Sequence, residues 1–201
     1  MKKYFILLIP FLISACANPI NRYTATRYAE GCYDFQQHNE WWKARRACGR
    51  AAMNAQLGGV PDRTVAVLWY EYGRASGVIC DYVEAQKGLE IAIKLYQAIE
   101  GPVHQPFLEM AKLRIAQGQF AEAIGYYDKV WQTLPSGIAE EQDPIGLAEV
   151  LEEQAEIYLQ LGNPTLSKEP KERAQKLRTT NPNKTSRLSH TPYGKFCHQK
   201  S

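Results

Sequence analysis

The acidic side chains with the best spacing for acid–base chemistry lie in the last third of the chain. Glu149, Glu152, Glu153 and Glu156 recur at three- and four-residue intervals, which places them on one face if the segment is helical. Paired carboxylates can act as general acid and general base in hydrolysis. A row of carboxylates on a helix is more often a solvated face, and we interpret these four residues in that way.

The sequence gives weaker support for a metal site or a catalytic nucleophile than for paired carboxylates. The four histidines are His38, His104, His190 and His198, and none stands in an H-E-x-x-H pair. The chain also lacks a G-x-S-x-G nucleophile elbow, a phosphate-binding loop and a dinucleotide fingerprint. Cys197 and His198, with His190 upstream, have suitable ligand atoms for a metal, but no C-x-x-C accompanies them. We therefore predict a protein that is not an enzyme and binds no metal or cofactor.

The N-terminus has the pattern of an export signal. Two lysines precede an apolar run, Tyr4 to Ile13, which is shorter than the roughly 20 residues of a membrane-spanning helix. The run ends in Ser14-Ala15-Cys16, and this ending resembles the lipobox of bacterial lipoproteins. The resemblance implies that residues 1–15 are a lipoprotein signal peptide, that Cys16 is lipidated and, since Ala17 rather than Asp follows it, that the protein is sorted to the outer membrane. The alternative is an ordinary cleaved signal with an incidental cysteine.

Charge is unevenly distributed along the chain. The 201 residues carry 24 basic and 21 acidic side chains, a net charge of +3 that is too small to indicate nucleic-acid binding by itself. Without the signal peptide, residues 16–167 carry a net charge of −6 and residues 168–201 a net charge of +7. The predicted mature protein is an acidic body with a basic tail. Because residues 182–201 are polar and have few apolar side chains, we predict that this tail is disordered.

The apolar spacing of the body is helical. Apolar residues recur at three- and four-residue intervals from Phe107 to Ile115, and the same spacing returns from Phe120 to Trp131. Gly118 lies between the two segments, where a turn needs a residue that tolerates a positive φ. With Pro135 ending the second segment, these residues predict a helix–turn–helix hairpin.

This hairpin resembles the tetratricopeptide repeat (TPR), whose period is about 34 residues. Counted from His104, eight marker positions agree in type and order: Phe107, Ala111, Gly118, Phe120, Ala123, Tyr127, Val130 and Pro135. Weaker copies start at Ala25, Ala66 and Ala148, so the starts are 41, 38 and 44 residues apart. The resemblance implies an all-α, right-handed superhelix (a solenoid) of about four hairpins over residues 23–181, preceded by a lipidated linker, 16–22.

Two details of the repeats carry further expectations. Pro164 and Pro170 interrupt the second helix of the last copy, so we expect that helix to start late, near Lys171. In the TPR alignment, Cys32 and Cys48 occupy positions that face one another in the first hairpin, and an exported chain can form disulfides. We therefore predict a Cys32–Cys48 disulfide, with two reduced, buried cysteines as the alternative. Cys80 and Cys197 have no evident mate; each could be free or could pair between chains.

The resemblance also implies a binding groove on the concave side, because the first helices of stacked hairpins line that side. The positions that face the groove in the family correspond here to Tyr33, Gln36, Gln37, Tyr70, Arg74, Gln105, Lys112, Glu149, Glu152 and Glu156. The groove therefore changes from aromatic through basic to acidic along its length. A partner peptide with an acidic stretch beside a basic stretch would complement these charges.

These features together predict a non-enzymatic outer-membrane lipoprotein that faces the periplasm. Its membrane contact is the lipid on Cys16, and its groove is expected to bind a protein or peptide partner in the assembly of a cell-envelope complex, with no nucleic acid involved. The alternative is an enzyme, or an enzyme accessory, that acts on peptidoglycan. An assay of peptidoglycan cleavage separates the two.

Overall fold

The computed structural model of the protein describes residues 18–135 and 137–199. Within these residues the secondary structure is helical and contains no strand. The helices are α1 (Pro19–Gln37), α2 (Trp41–Leu57), α3 (Asp62–Val78), α4 (Tyr82–Ala98), α5 (His104–Ala116), α6 (Phe120–Thr133), α7 (Ile138–Gln142), α8 (Pro144–Gln160) and α9 (Pro164–Thr180). The predicted signal peptide, 1–15, and Cys16 lie outside the described residues, so both stay predictions.

The helices form four antiparallel hairpins that stack in chain order. The pairs are α1–α2, α3–α4, α5–α6 and α8–α9, and the short helix α7 connects the third hairpin to the fourth. The first helices of the first three hairpins also contact one another, α1 against α3 and α3 against α5. The predicted all-α solenoid of four helix hairpins is confirmed.

The turns inside the hairpins share one backbone conformation. Asn39, Cys80, Gly118 and Gly162 each adopt a positive φ, of 57°, 66°, 73° and 73°. These four residues are 41, 38 and 44 residues apart, which are the intervals between the repeats in the sequence. The left-handed conformation favours glycine, so Asn39 and Cys80 are held there at some cost in energy.

Small residues let the two helices of a hairpin approach closely. A Cβ atom on Gly73 of α3 would lie 2.9 Å from the backbone nitrogen of Leu89, and one on Gly88 of α4 would lie 2.9 Å from the backbone nitrogen of Gly73. In the third hairpin, Ala111 and Ala123 are fully buried at the corresponding family positions. Larger side chains at these positions would separate the helices and expose the core.

The last helix corrects one prediction. The expected late start near Lys171 is wrong, since α9 begins at Pro164 and continues through Pro170. Proline is favourable at the first helical position, where its missing N–H has no helical partner. Pro170 lies inside the helix and is buried, so the contact of α9 with α8 overrides the local preference of proline to interrupt a helix.

Membrane-spanning potential was searched in the described residues only. No helix among residues 18–135 and 137–199 is both long enough and apolar enough to cross a bilayer.

Candidate functional site: the groove and the C-terminal segment

The predicted groove lies on the side formed by α3, α5 and α8. These helices line a cleft of about 590 Å³. Its lining combines apolar residues, among them Leu108, Leu147 and Val150, with charged and polar residues of α3 and α5. Side chains of residues 187–189 line the cleft as well, so the C-terminal part of the chain belongs to this site.

A buried charge cluster, which consists of Glu71, Arg74, Glu109 and the ring of Tyr70, lies at the centre of the groove. The guanidinium of Arg74 donates two hydrogen bonds to the carboxylate of Glu71, at 3.1 and 3.0 Å, and its Nε lies 3.8 Å from Oε2 of Glu109. The side chains of Arg74 and Glu109 are only 8% and 3% exposed. The guanidinium also stacks over the ring of Tyr70, with 5.4 Å between its central carbon and the ring centroid. Gln36 extends the cluster to α1, since its side-chain amide donates to Glu71 at 3.0 Å.

Burial and charge set the protonation of this cluster. Burial acts to lower the pKa of Arg74, but the carboxylates of Glu109 and Glu71 outweigh it and the net pKa is raised. Burial, reinforced by the negative charge of Glu109, raises the pKa of Tyr70 well above its usual value. Arg74 is therefore a fixed cation and Tyr70 a neutral phenol at physiological pH.

The C-terminal residues of the described chain contact the repeats. Residues 182–199 have no regular secondary structure, and from Ser186 onward they lie along the groove. We call residues 186–199 the C-terminal segment. It starts at the fourth hairpin, where the Ser186 hydroxyl donates to Glu149 at 2.6 Å. It ends at the first hairpin, where the Gln199 side chain donates to the Asn39 carbonyl at 3.0 Å. The segment thus runs back across the repeats in the opposite order to the chain.

The middle of the C-terminal segment is held by the charge cluster. The Nε of Arg74 donates to the Thr191 hydroxyl at 2.8 Å, and another nitrogen of the same guanidinium donates to the Ser189 hydroxyl. The Tyr193 hydroxyl donates to Glu109 at 2.8 Å. Burial, together with the charge of Glu109, raises the pKa of Tyr193 well above its usual value. The hydroxyl therefore keeps the proton that it donates.

Acidic side chains of the fourth hairpin and of the loop before it contact this polar segment. Residues 182–201 contain four basic side chains and no acidic one, whereas residues 16–167 carry a net charge of −6. Glu149 lies 3.4 Å from the imidazole of His190 and also accepts from Ser186. Asp143 caps the start of α8 and accepts from the backbone N–H of Arg187 at 3.0 Å. The prediction of a disordered tail over residues 182–201 stays a prediction.

Two disulfides are present in the described residues. Cys32 and Cys48 are joined, with 4.8 Å between their Cα atoms, and both side chains are buried. Cys80 and Cys197 are also joined, with 5.0 Å between their Cα atoms. The second bridge supplies the mate that the sequence did not identify, and it ties the C-terminal segment to the turn of the second hairpin.

The structure places the predicted groove residues in three different environments. Tyr70, Arg74, Gln105 and Lys112 line the cleft. Gln36 and Glu149 contact the charge cluster and the C-terminal segment, respectively. The remaining predicted residues are not brought into the cleft: Tyr33, Gln37, Glu152 and Glu156.

The acidic face of α8 divides between separate partners. Glu152 accepts two hydrogen bonds of 2.6 Å from Arg178 of α9, and these bonds lower its pKa. Glu153 accepts from the buried Tyr127 hydroxyl, and Glu156 accepts from Gln160. The four carboxylates thus stabilise helix contacts and the C-terminal segment, and they do not converge on one pocket. Within the described residues, no group of three or more His, Cys, Asp or Glu residues is arranged to hold a metal ion.

Sequence reasoning missed the acidic half of the charge cluster. Glu71 precedes Arg74 by three residues, a spacing that brings opposite charges together on a helix. Glu109 stands between Leu108 and Met110 in an otherwise apolar stretch of α5, and a buried carboxylate there requires a partner. Both signals were present in the sequence. Neither identifies Tyr193, which is 84 residues from Glu109 along the chain.

Comparison with solved structures supports the fold. BtubC (BKLC) from P. vanneervenii, a helical repeat protein, superposes with a TM-score of 0.69 at 14% sequence identity, over 83% of this chain and 67% of the other. The MamA protein aligns at 15% identity over 83% of this chain and 98% of the other, with a TM-score of 0.48. A scan against protein-family models and a search of curated proteins found no match. The four hairpins and the likeness to BtubC show a TPR-like helical-repeat fold.

Proposed function

We propose that this protein is a non-enzymatic outer-membrane lipoprotein that acts as a scaffold for protein–protein interaction in a cell-envelope complex. The observation that carries the proposal is the occupation of the groove by a polypeptide segment without regular secondary structure. The C-terminal segment is held there by side chains of α3, α5 and α8. A groove that accommodates one polypeptide segment has the shape and the polar groups to bind another.

The membrane part of the proposal follows from the position of Cys16. Only residues 17 and 18 separate Cys16 from the start of α1 at Pro19. Three residue steps of extended chain span at most about 11 Å. A lipid on Cys16 would therefore hold the first hairpin close to the bilayer surface, with the other hairpins extending from it.

Site-specific crosslinking in cells tests the scaffold role. A photo-crosslinking amino acid at Gln105 or Lys112, on the cleft wall, should capture the same identified envelope protein in independent experiments. The matched control position is Lys94, which is exposed on α4 and lies outside the cleft. Equal capture from Lys94, or capture from neither cleft position, would contradict a partner in the groove.

Fractionation tests the anchor separately. The change Cys16→Ser should move the protein from the outer-membrane fraction to the soluble periplasmic fraction and abolish incorporation of labelled fatty acid. Retention in the membrane without any label would show that Cys16 is not the anchor. Cleavage of peptidoglycan by the purified protein, lost in Glu149→Gln, would contradict the non-enzymatic part of the proposal.

A further inference from the structure

We propose that the pocket occupied by Tyr193 is a docking site for a tyrosine-bearing segment of a partner protein. The C-terminal segment is then a built-in competitor, which the Cys80–Cys197 disulfide keeps in place. This inference rests on the proposed scaffold role and adds the chemistry of the partner. The groove then becomes accessible to a partner when the Cys80–Cys197 disulfide is reduced.

The pocket is a feature of the repeats and not of the segment that fills it. Its walls are α3 and α5, which supply Gly77, Leu113 and Glu109. A Cβ atom on Gly77 would lie 2.4 Å from the Tyr193 ring, so the absence of a side chain at this position leaves the space that the ring occupies. Glu109 lies at the end of this space and accepts the phenol hydrogen bond at 2.8 Å. The pocket therefore selects a flat ring with a hydrogen-bond donor at its far end.

The residues before the tyrosine define the rest of the recognised pattern. Ser189, Thr191 and Tyr193 stand two residues apart in the segment, and the chain turns at Pro192, where the Tyr193 N–H donates to the Thr191 carbonyl at 2.9 Å. All three contact the charge cluster: Arg74 donates to the first two hydroxyls, and Glu109 accepts from the third. We infer that a partner segment would carry hydroxyl side chains two and four residues before its tyrosine.

Few non-covalent backbone bonds hold the end of the C-terminal segment. Among the described residues, its backbone donates to the carbonyls of α3 twice, from Gly194 to Gly77 at 3.4 Å and from Phe196 to Val78 at 3.2 Å. The covalent hold is the disulfide between Cys80 and Cys197. Opening this bond leaves a segment that another peptide with the same side chains can displace.

The two disulfides differ in access to solvent. Cys32 and Cys48 are 3% and 0% exposed, whereas Cys197 is exposed. A thiolate of a dithiol reductant can therefore attack the Cys197 sulfur, forming a mixed disulfide and releasing the Cys80 thiolate. The second thiolate of the reductant then attacks the mixed disulfide and releases Cys197. The reductant leaves as a disulfide, and its two protons end on the two cysteines.

The segment competes from within the same chain, so its local concentration is high. A short flexible tether gives an effective concentration in the millimolar range. A free peptide should therefore bind weakly while the segment is intact, even after the disulfide is opened. It should bind well only when the segment has also lost its tyrosine.

A direct binding measurement tests the proposal. The probe is a fluorescent synthetic peptide of residues 185–196, followed by anisotropy against the mature chain in three forms: oxidised wild type, Cys197→Ser, and Cys197→Ser/Tyr193→Ala. We expect no saturable binding to the first form. We expect weak binding to the second, and binding at least about tenfold tighter to the third. A probe with alanine in place of its tyrosine should bind the third form at least about tenfold more weakly.

A pair of glycine substitutions shows whether the peptide uses this pocket. Gly77→Ala, added to the third form, should weaken binding of the probe at least about tenfold while helix content is kept, because alanine is a better helix former than glycine. The matched control is Gly125→Ala, since Gly125 is exposed on α6 and has open space where a Cβ would be placed. It should leave binding unchanged.

Three results would overturn the proposal. The first is equal binding to oxidised wild type, which would place the peptide elsewhere. The second is no binding to the folded third form at about 1 mM peptide, the effective concentration expected of the tether. The third is unchanged binding after Gly77→Ala. If circular dichroism shows the third form to be unfolded, wild type with Cys80–Cys197 reduced and the buried bridge intact is measured instead, and the expected result is that of the second form: weak binding of the probe, absent from oxidised wild type and lost with the alanine probe. If the peptide does not bind, the results of the Cys16→Ser and crosslinking experiments are unaffected, so the docking proposal can fail while the scaffold proposal stands.

Discussion

Replacing Arg74 by methionine should lower the free energy of unfolding by about 3–5 kcal/mol, the usual cost of breaking a buried ion pair by removing one partner. The side chain is 8% exposed and its guanidinium bonds to Glu71, Thr191 and Ser189. Methionine fills a similar volume without donating a hydrogen bond. The loss therefore reports the polar contacts more than the packing.

Most of the expected loss of stability comes from the carboxylates that lose their counter-ion. Glu109 is 3% exposed and would keep only the Tyr193 hydroxyl as a hydrogen-bond donor. A buried charge without its counter-ion is expensive, and a neutral carboxyl is cheaper to bury. Adding Glu109→Gln to Arg74→Met should recover part of the loss, with a coupling energy of about 1–3 kcal/mol between the two changes.

Urea unfolding, followed by circular dichroism, measures both quantities. The matched control is Arg27→Met, since Arg27 forms the same kind of i,i+3 pair with Glu30, at 3.1 Å, with side chains 66% and 60% exposed. An exposed pair of this kind contributes at most about 0.5 kcal/mol. The reasoning is refuted if Arg74→Met lowers the free energy of unfolding by less than about 1 kcal/mol, or if adding Glu109→Gln recovers none of the loss.

Three further predictions concern the scaffold. The double change Cys32→Ser/Cys48→Ser should lower the free energy of unfolding by about 3 kcal/mol, because the disulfide closes a loop of 16 residues. Urea unfolding compared with that of the oxidised wild type measures the difference. Burial raises the pKa of Tyr127 and Tyr193 well above 10 and that of Tyr72 to about 12. Their contribution to stability is complete below the unfolded pKa of about 10 and is lost as the pH rises further. Tyrosinate absorbance should therefore rise together with alkaline unfolding, and gradual ionisation with the helix content unchanged would contradict this. Gly118→Ala should lower the free energy of unfolding by about 1 kcal/mol, because Gly118 has a φ of 73°. Gly125→Ala should raise it by up to about 1 kcal/mol, because Gly125 lies within α6 and has open space around it. Similar shifts in melting temperature for the two variants would contradict this prediction.

The features predicted well from the sequence are those that repeat locally. Gly118 and Gly162 mark turns because few other residues tolerate their backbone conformation. Ala111 and Ala123 mark the close contact between two neighbouring helices. Such signals act over fewer than about 15 residues and return once in every hairpin. They define the number of hairpins and the position of each turn even where the repeats diverge.

The features that the sequence did not predict depend on contacts between distant residues. Cys80 and Cys197 are 117 residues apart, and Tyr193 is 84 residues from Glu109. No periodicity links such pairs. The C-terminal segment has no helical pattern of its own, and its position follows from a few anchoring side chains. Composition alone indicates disorder for such a segment, because composition does not include the surface on which it lies.

A substitution at Pro170 tests where α9 begins, which the sequence analysis predicted incorrectly. If α9 runs from Pro164 to Thr180, residue 170 is in the helix interior, where proline removes a hydrogen bond and its ring crowds the Leu166 carbonyl. Pro170→Ala should then raise the free energy of unfolding by about 1–2 kcal/mol, since the helical gain of up to about 3 kcal/mol exceeds the loss of buried ring surface. If the helix instead began near Lys171, alanine at position 170 would restore no helical bond, and stability would stay the same or fall. A urea-unfolding comparison with Pro164→Ala as the control distinguishes the two, because Pro164 lies at the first helical position, where its replacement restores no hydrogen bond under either arrangement.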